Sequence, residues 1–107
     1  MKLINKKGFQ LSFTAVIKDK LGNFVDLTAY DGVKFIMSYT NNGENKVNAT
    51  ALFINKANGK VGYTFTATDV NTVGSFRGYF ALSSSGVKKL ASPTRYFDIE
   101  ITDDLLS

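Results

Sequence analysis

The feature that most constrains this chain is a pair of alternating apolar stretches joined through one polar corner. The first is Gly59-Lys60-Val61-Gly62-Tyr63-Thr64-Phe65 and the second is Gly74-Ser75-Phe76-Arg77-Gly78-Tyr79-Phe80, with Asp69 between them. Alternation with a period of two puts Val61, Tyr63 and Phe65 on one face, the mark of a half-buried strand. In the second stretch Phe76, Gly78, Phe80 and Leu82 share a face, so Arg77 and Tyr79 point together to the other. A chain that turns such a corner between two strands is expected to cross from one sheet to another.

The rest of the sequence follows the same rhythm. Phe9, Leu11, Phe13, Ala15 and Ile17 mark a first long strand, and Asp19-Lys20-Leu21-Gly22-Asn23 carries the residues that backbone reversals need. Phe24 to Leu27 reads as a short second strand, and Val33, Phe35, Met37 and Tyr39 define a third. Asn41-Asn42-Gly43 is a hairpin tip. A fourth strand runs through Val47, Ala49, Ala51 and Phe53, with Asn48, Thr50 and Leu52 outward; Asn55 to Gly59 turns the chain again. Ser83-Ser84-Ser85-Gly86 reads as a polar turn. Val87 to Leu90 starts the last element, Ser92-Pro93-Thr94 interrupts it at a bulge or edge, and Tyr96 to Ile101 completes it. Thr68 to Val73 has room for one helical turn, with Thr68-Asp69 as its cap. About seven strands spaced in this way predict an all-β, immunoglobulin-like antiparallel β-sandwich, and the corner around Asp69 matches its strands E and F. The expected domain is the whole 107-residue chain, with a core over about 8–101 and short tails at both ends.

Composition narrows the chemistry. The chain has no Cys and no His, which removes disulfides, thiolate nucleophiles and the commonest general base and metal ligand. It has no Trp for the Trp-on-disulfide core of antibody domains. The segment Met1 to Lys7 lacks the apolar run of a signal peptide, and no stretch approaches the length of a membrane span, so membrane insertion is not expected. The chain reads as one made in the cytoplasm and kept or assembled there. Net charge is +4, with nine Lys against four acids in residues 1–60. These Lys residues are spread over strand ends and turns and form no basic stripe, so nucleic acid is not an expected partner.

Each candidate for chemistry has a simpler structural explanation. Asp98 and Glu100 share the face of one strand and imply no cleft between paired carboxylates. Asp26 and Asp31 only flank a loop, which is short of a calcium site. Ser83 to Ser85 have no His and no Lys in a recognisable motif to activate a hydroxyl. The Gly74 to Gly78 stretch lies in a strand with no helix after it, so it does not cradle phosphate. No catalytic residue, cofactor or metal is expected. The residues best suited to touch a partner are Arg77 and Tyr79, facing outward together, and Tyr30 on a loop. The five Tyr and the polar loops also allow a carbohydrate- or cell-surface-binding module as an alternative.

The order of turn and strand residues also resembles a known family. Asp19-Lys20-Leu21-Gly22-Asn23-Phe24-Val25-Asp26-Leu27-Thr28 resembles the D-x-x-G-x-x-V-D-L-T opening of the amino-terminal domain of phage baseplate upper proteins. Gly59 to Phe65, Asp69 and Gly74-Ser75-Phe76 resemble its middle, and Pro93 with Phe97-Asp98-Ile99-Glu100-Ile101 its closing strand. The likeness spans roughly residues 8–101. It implies a non-enzymatic, immunoglobulin-like virion module of a tailed phage or prophage of Gram-positive bacteria. Such a module is made in the host cytoplasm and docks other phage structural proteins in the baseplate or tail, with self-association into a homo-oligomer an open expectation. Family members usually continue into linker and oligomerisation regions, so the stop at Ser107 reads as an excised domain or a small stand-alone relative.

Overall fold

The computed structural model describes residues 2–19, 21–84, 87–90 and 96–103. It is all β, built as two facing sheets. The strands are β1 (Lys2–Lys6), β2 (Ser12–Val16), β3 (Gly32–Tyr39), β4 (Asn45–Thr50), β5 (Leu52–Asn55), β6 (Lys60–Thr64), β7 (Gly74–Ser84), β8 (Val87–Leu90) and β9 (Phe97–Thr102). One sheet runs in the order β1-β9-β7-β3-β4, with β8 also paired to β7; the other is β2-β6-β5.

Nine strands among the described residues, where about seven are expected, come from two local differences. The first is β1, which the sequence reading leaves in a tail. It pairs in parallel with β9, Lys2 opposite Asp98 and Lys6 opposite Thr102, so the sandwich is antiparallel in every named pairing but this one. Its signal is hidden because the buried inward position is Asn5, which interrupts any apolar alternation. The Asn5 amide donates to the carbonyls of Lys6 and Phe9 at 2.9 and 2.8 Å, which satisfies a buried polar group and turns the chain toward β2.

The second difference is a break at Ala51 in what reads as one strand from Val47 to Phe53. The Ala51 N–H donates to the Val33 carbonyl at 2.9 Å, after which the chain leaves the larger sheet and continues as β5 in the smaller. Alternation survives the crossing: Val47 and Ala51 are buried and Phe53 packs against the core, so the residue pattern gives no sign of the change.

Phe24 to Leu27 makes no strand. Phe24 forms one isolated bridge with Lys18 and is largely exposed, whereas Leu27 is fully buried. Side-chain caps shape this segment: Asp19 Oδ1 accepts the N–H groups of Leu21 and Asn23, and Asp26 Oδ1 accepts that of Thr28 at 2.9 Å. Such Asx turns compete with ladder formation. The Thr28 N–H, and then the Thr28 side chain, hold the Asp26 carboxyl below its ordinary value. Between Asn55 and Gly59 the turn is a three-residue 3-10 helix, Lys56–Asn58, ended by Gly59 at φ +70°. A Cβ at Gly59 would lie 2.8 Å from the carbonyl oxygens of both Ile17 and Val25, so this position needs glycine for conformation and for space.

The expected helical turn after Thr68 is a hydrogen-bonded turn instead. The Asp69 carboxylate accepts the Thr66 N–H at 2.9 Å and the Tyr63 hydroxyl at 2.5 Å, while the Asp69 N–H donates to the Thr66 carbonyl and hydroxyl. Asp69 thus points back into the corner and caps nothing ahead of it. Ser83 and Ser84, read as part of a turn, belong to β7; Ser85, Gly86, Ser92-Pro93-Thr94 and the terminal residues from Asp104 lie outside the described residues.

The core fills the space between the sheets and centres on Phe35 of β3. Its ring meets Phe13, Tyr63, Phe65, Phe80 and Phe97 at centroid distances of 4.8–6.2 Å, with Tyr63 stacked closest at 4.8 Å. Room for it comes from Gly78, where a Cβ would stand 2.7 Å from Ile99 Cδ1 and 3.0 Å from Phe35 Cε1.

Two outcomes are expected from denaturant melts. Phe80→Ala lowers stability by about 3–5 kcal/mol, since Phe80 is buried against Phe13, Phe35 and Phe97. Gly78→Ala costs about 1–3 kcal/mol by overpacking the same cluster. Stability near wild type in either variant would mean that the core repacks freely around Phe35.

The corner gives a pH prediction. Burial first, then the Asp69 hydrogen bond and charge, push the Tyr63 phenol well above its ordinary value of 10.0. The folded state therefore holds this proton more tightly than the unfolded one. Its stabilisation is complete below pH 10 and is lost as pH rises above that value. Tyr63→Phe is expected to cost about 1.5–3 kcal/mol at neutral pH and to remove this part of the alkaline fall in stability. Parallel alkaline losses in wild type and variant, read by denaturation across pH, would contradict the assignment.

Candidate functional site

On the outer face of the larger sheet, β7 presents Arg77 and Tyr79, the pair that alternation predicts to face outward together. Their inward neighbours Phe76, Gly78 and Phe80 are buried, which fixes that orientation. Arg77 lies opposite Ser38 on β3 and Asp98 on β9, and Tyr79 lies opposite Ile36. Together with Tyr96, just before β9, and the β3–β4 hairpin they enclose an open hollow of about 220 Å³.

The hairpin supplies one wall through Ser38, Tyr39, Thr40 and Gly43. It is held by the Gly43 N–H donating to the Tyr39 carbonyl, by Asn42 Oδ1 accepting the Glu44 N–H, and by Ser38 Oγ donating to Asn45 Oδ1, each at 2.9 Å. Thr40 ties the tip to β7 through the Ser75 carbonyl. Tyr39 braces the floor by packing on Phe76, with ring centroids 4.9 Å apart. Across the hollow the Arg77 guanidinium lies over the Tyr96 ring, 4.6 Å from its centroid, in cation–π geometry.

Tyr30, the third expected contact residue, is not part of this arrangement. It sits at the opposite end of β3, where Gly32 pairs with Ser83, six residues and about 20 Å of strand away from Ser38. Its ring is half-buried against the core, and its carbonyl accepts Lys56 Nζ at 2.8 Å. The hairpin wall and Tyr96 are the lining that sequence reasoning misses. Only strand pairing brings residues 38–43, 77–79 and 96 together.

The other candidates serve the fold. Asp98 and Glu100 face outward on β9, opposite Arg77 and Ser75. Ser84 Oγ donates to the Ala29 carbonyl at 3.0 Å. Among the described residues no group of three or more His, Cys, Asp or Glu is placed to hold a metal ion, and no helix is long and apolar enough to cross a membrane. A second surface feature is apolar: Val16, Leu52 and Ile54 are exposed on the smaller sheet, with Ile54 folded over Gly62. Ile54 continues the outward alternation of Asn48, Thr50 and Leu52.

Alanine at Gly43, where φ is +74°, is expected to lower stability by about 1–2 kcal/mol through strain in the left-handed region. No atom lies within 4 Å of the added Cβ, so strain is the sole cost. The amide resonances of residues 38–45 are expected to move with it. A neutral change would mean that the hairpin tip is not held in this conformation.

No family model matches the chain, and no curated protein matches it. Among solved structures it is similar to the N-terminal domain of phage TP901-1 ORF48, with a TM-score of 0.70 and 14% identity over 94% of this chain and 84% of that one. At that identity the likeness is one of fold.

Proposed function

We propose that the chain is an immunoglobulin-like structural module of a tailed-phage or prophage particle, placed in its baseplate or tail, that works by docking to other virion proteins. The observation that carries this is a fold shared with a phage domain over nearly the whole chain. The baseplate turn motif adds weight, because its residues have specific structural tasks. Asp19 and Asp26 cap the two turns, Gly22 takes φ +86° in the first, and Leu27 plugs the core. A motif made of caps and a plug specifies a scaffold and asks for no chemistry.

In this reading the contacts are carried by the outer sheet faces and by the terminal strands of the two sheets, β1 and β4 in one and β2 and β5 in the other. The apolar outer face of the smaller sheet is the natural surface for self-association, and the face bearing Arg77 is the one for a different partner. The alternative, a carbohydrate- or cell-surface-binding module, draws on the same tyrosines and on the polar loops.

The test is the location of the chain in particles. With an epitope tag on it, gradient-purified particles are expected to carry the tag at a fixed stoichiometry, and gold-labelled antibody to mark one end of the tail. Disrupting the coding sequence is expected to give particles that are incomplete or do not infect. Fully assembled, infectious particles from the disrupted strain would overturn the proposal.

A further inference from the structure

The hollow beside Arg77 has one formal charge among its described lining residues, the Arg77 guanidinium. The other described lining residues are Ser38, Tyr39, Thr40, Gly43, Tyr79 and Tyr96, none of them a carboxylate or an amide. The hydroxyls of Ser38 and Thr40 already donate to Asn45 and to the Ser75 carbonyl, so they hold the rim in shape. The Tyr96 ring meets the guanidinium through its π face, a contact that supplies no oxygen acceptor to the N–H groups. Among the described residues no ion pair engages Arg77, although Asp98 is its cross-strand partner. The guanidinium is thus held in place by an aromatic ring.

Size and chemistry select the occupant. A volume of about 220 Å³ is smaller than the roughly 300–1,000 Å³ of pockets that enclose drug-sized ligands. It suits one side chain or one small ring. The hydroxyls of this lining both donate and accept, so a sugar ring finds hydrogen-bond partners here, but it brings no counter-charge to the guanidinium. A carboxylate only accepts, and a guanidinium grips it through two parallel N–H···O bonds. Tyr and Arg are also the residues that most often anchor protein interfaces.

We propose that this hollow receives the carboxylate of an Asp or Glu side chain from an acidic loop of a partner protein. Arg77 grips the carboxylate, the Tyr96 ring holds Arg77 at the right angle, and the Tyr79 phenol flanks the side-chain stem. This rests on the docking reading and names the chemistry of the partner.

The test is an NMR titration of the isotope-labelled chain, read at the Arg77 Nε–H signal and the amides of residues 38–43 and 96. The probes are acetyl-Gly-Glu-Gly-amide, the matching Gln peptide, inorganic phosphate and N-acetylglucosamine. The Glu peptide is expected to give saturable shifts in the millimolar range, with the Gln peptide at least tenfold weaker. Arg77→Gln abolishes these shifts, and Arg77→Lys, which keeps charge but loses the paired grip, weakens them at least tenfold. Tyr30→Phe, at the far end of the strand, leaves them unchanged. Unaltered amide signals elsewhere establish that each variant is folded. The proposal is overturned if Glu and Gln peptides act alike, if phosphate or N-acetylglucosamine saturates the site in place of the Glu peptide, if no probe binds, or if binding survives in Arg77→Gln. Incorporation into particles without carboxylate binding would reject this site alone. Carboxylate binding by a chain absent from particles would reject the docking reading alone.

Discussion

The sandwich depends on the Phe35 ring and on the vacancy at Gly78 that admits it. Phe35, on the strand between β7 and the edge strand β4, reaches Phe13 and Tyr63 on the smaller sheet, and Phe13 in turn meets Phe80 and Phe97, so these rings link the two layers. Aromatic pairs contribute about 0.5–1.5 kcal/mol each beyond the area they bury. Five such pairs converge here, an amount that reaches the lower end of the net stability of a typical domain. Tyr63 then extends the cluster to the surface, because its hydroxyl ends on Asp69 and fixes the corner where the chain leaves β6 for β7. Core and corner are one continuous arrangement, and the outward direction of Arg77 and Tyr79 follows from it.

How much of this is legible in the sequence depends on whether each strand buries one clean face. β3, β6, β7 and β9 do, and their alternation locates them closely. β1 does not, since its inward residue Asn5 is paid for by hydrogen bonds to backbone carbonyls rather than by apolar burial. The sheet change at Ala51 is silent because alternation has no term for which sheet a strand joins. Phe24 misleads in the opposite way. It has the composition of a strand, but Asp19 and Asp26 spend the neighbouring N–H groups on turns.

The hollow follows the same logic. Arg77 and Tyr79 are readable as a pair because they share a strand and a face. Their companions come from the β3–β4 hairpin and from the residue preceding β9, and only register brings these within reach. Tyr30 lacks that guide, since a loop has no alternation to say which way its side chain points. The stretch from Asp19 to Thr28 is also clearer in three dimensions. Asp19 and Asp26 are caps, Gly22 is a turn glycine and Leu27 is a core plug, while Arg77 and Tyr79 lie on a separate strand.

The parallel pairing of β1 with β9 has a mechanical consequence. The described chain enters the ladder at Lys2 beside Asp98 and leaves it at Thr102 beside Lys6, so entry and exit lie at opposite ends of one ladder. Tension applied between the two ends drives these neighbouring strands past each other along their length. The evenly spaced hydrogen bonds of a parallel ladder then share the load and must fail together rather than peel one by one. Within any assembly that pulls on both ends, the fold is gripped along its strongest direction.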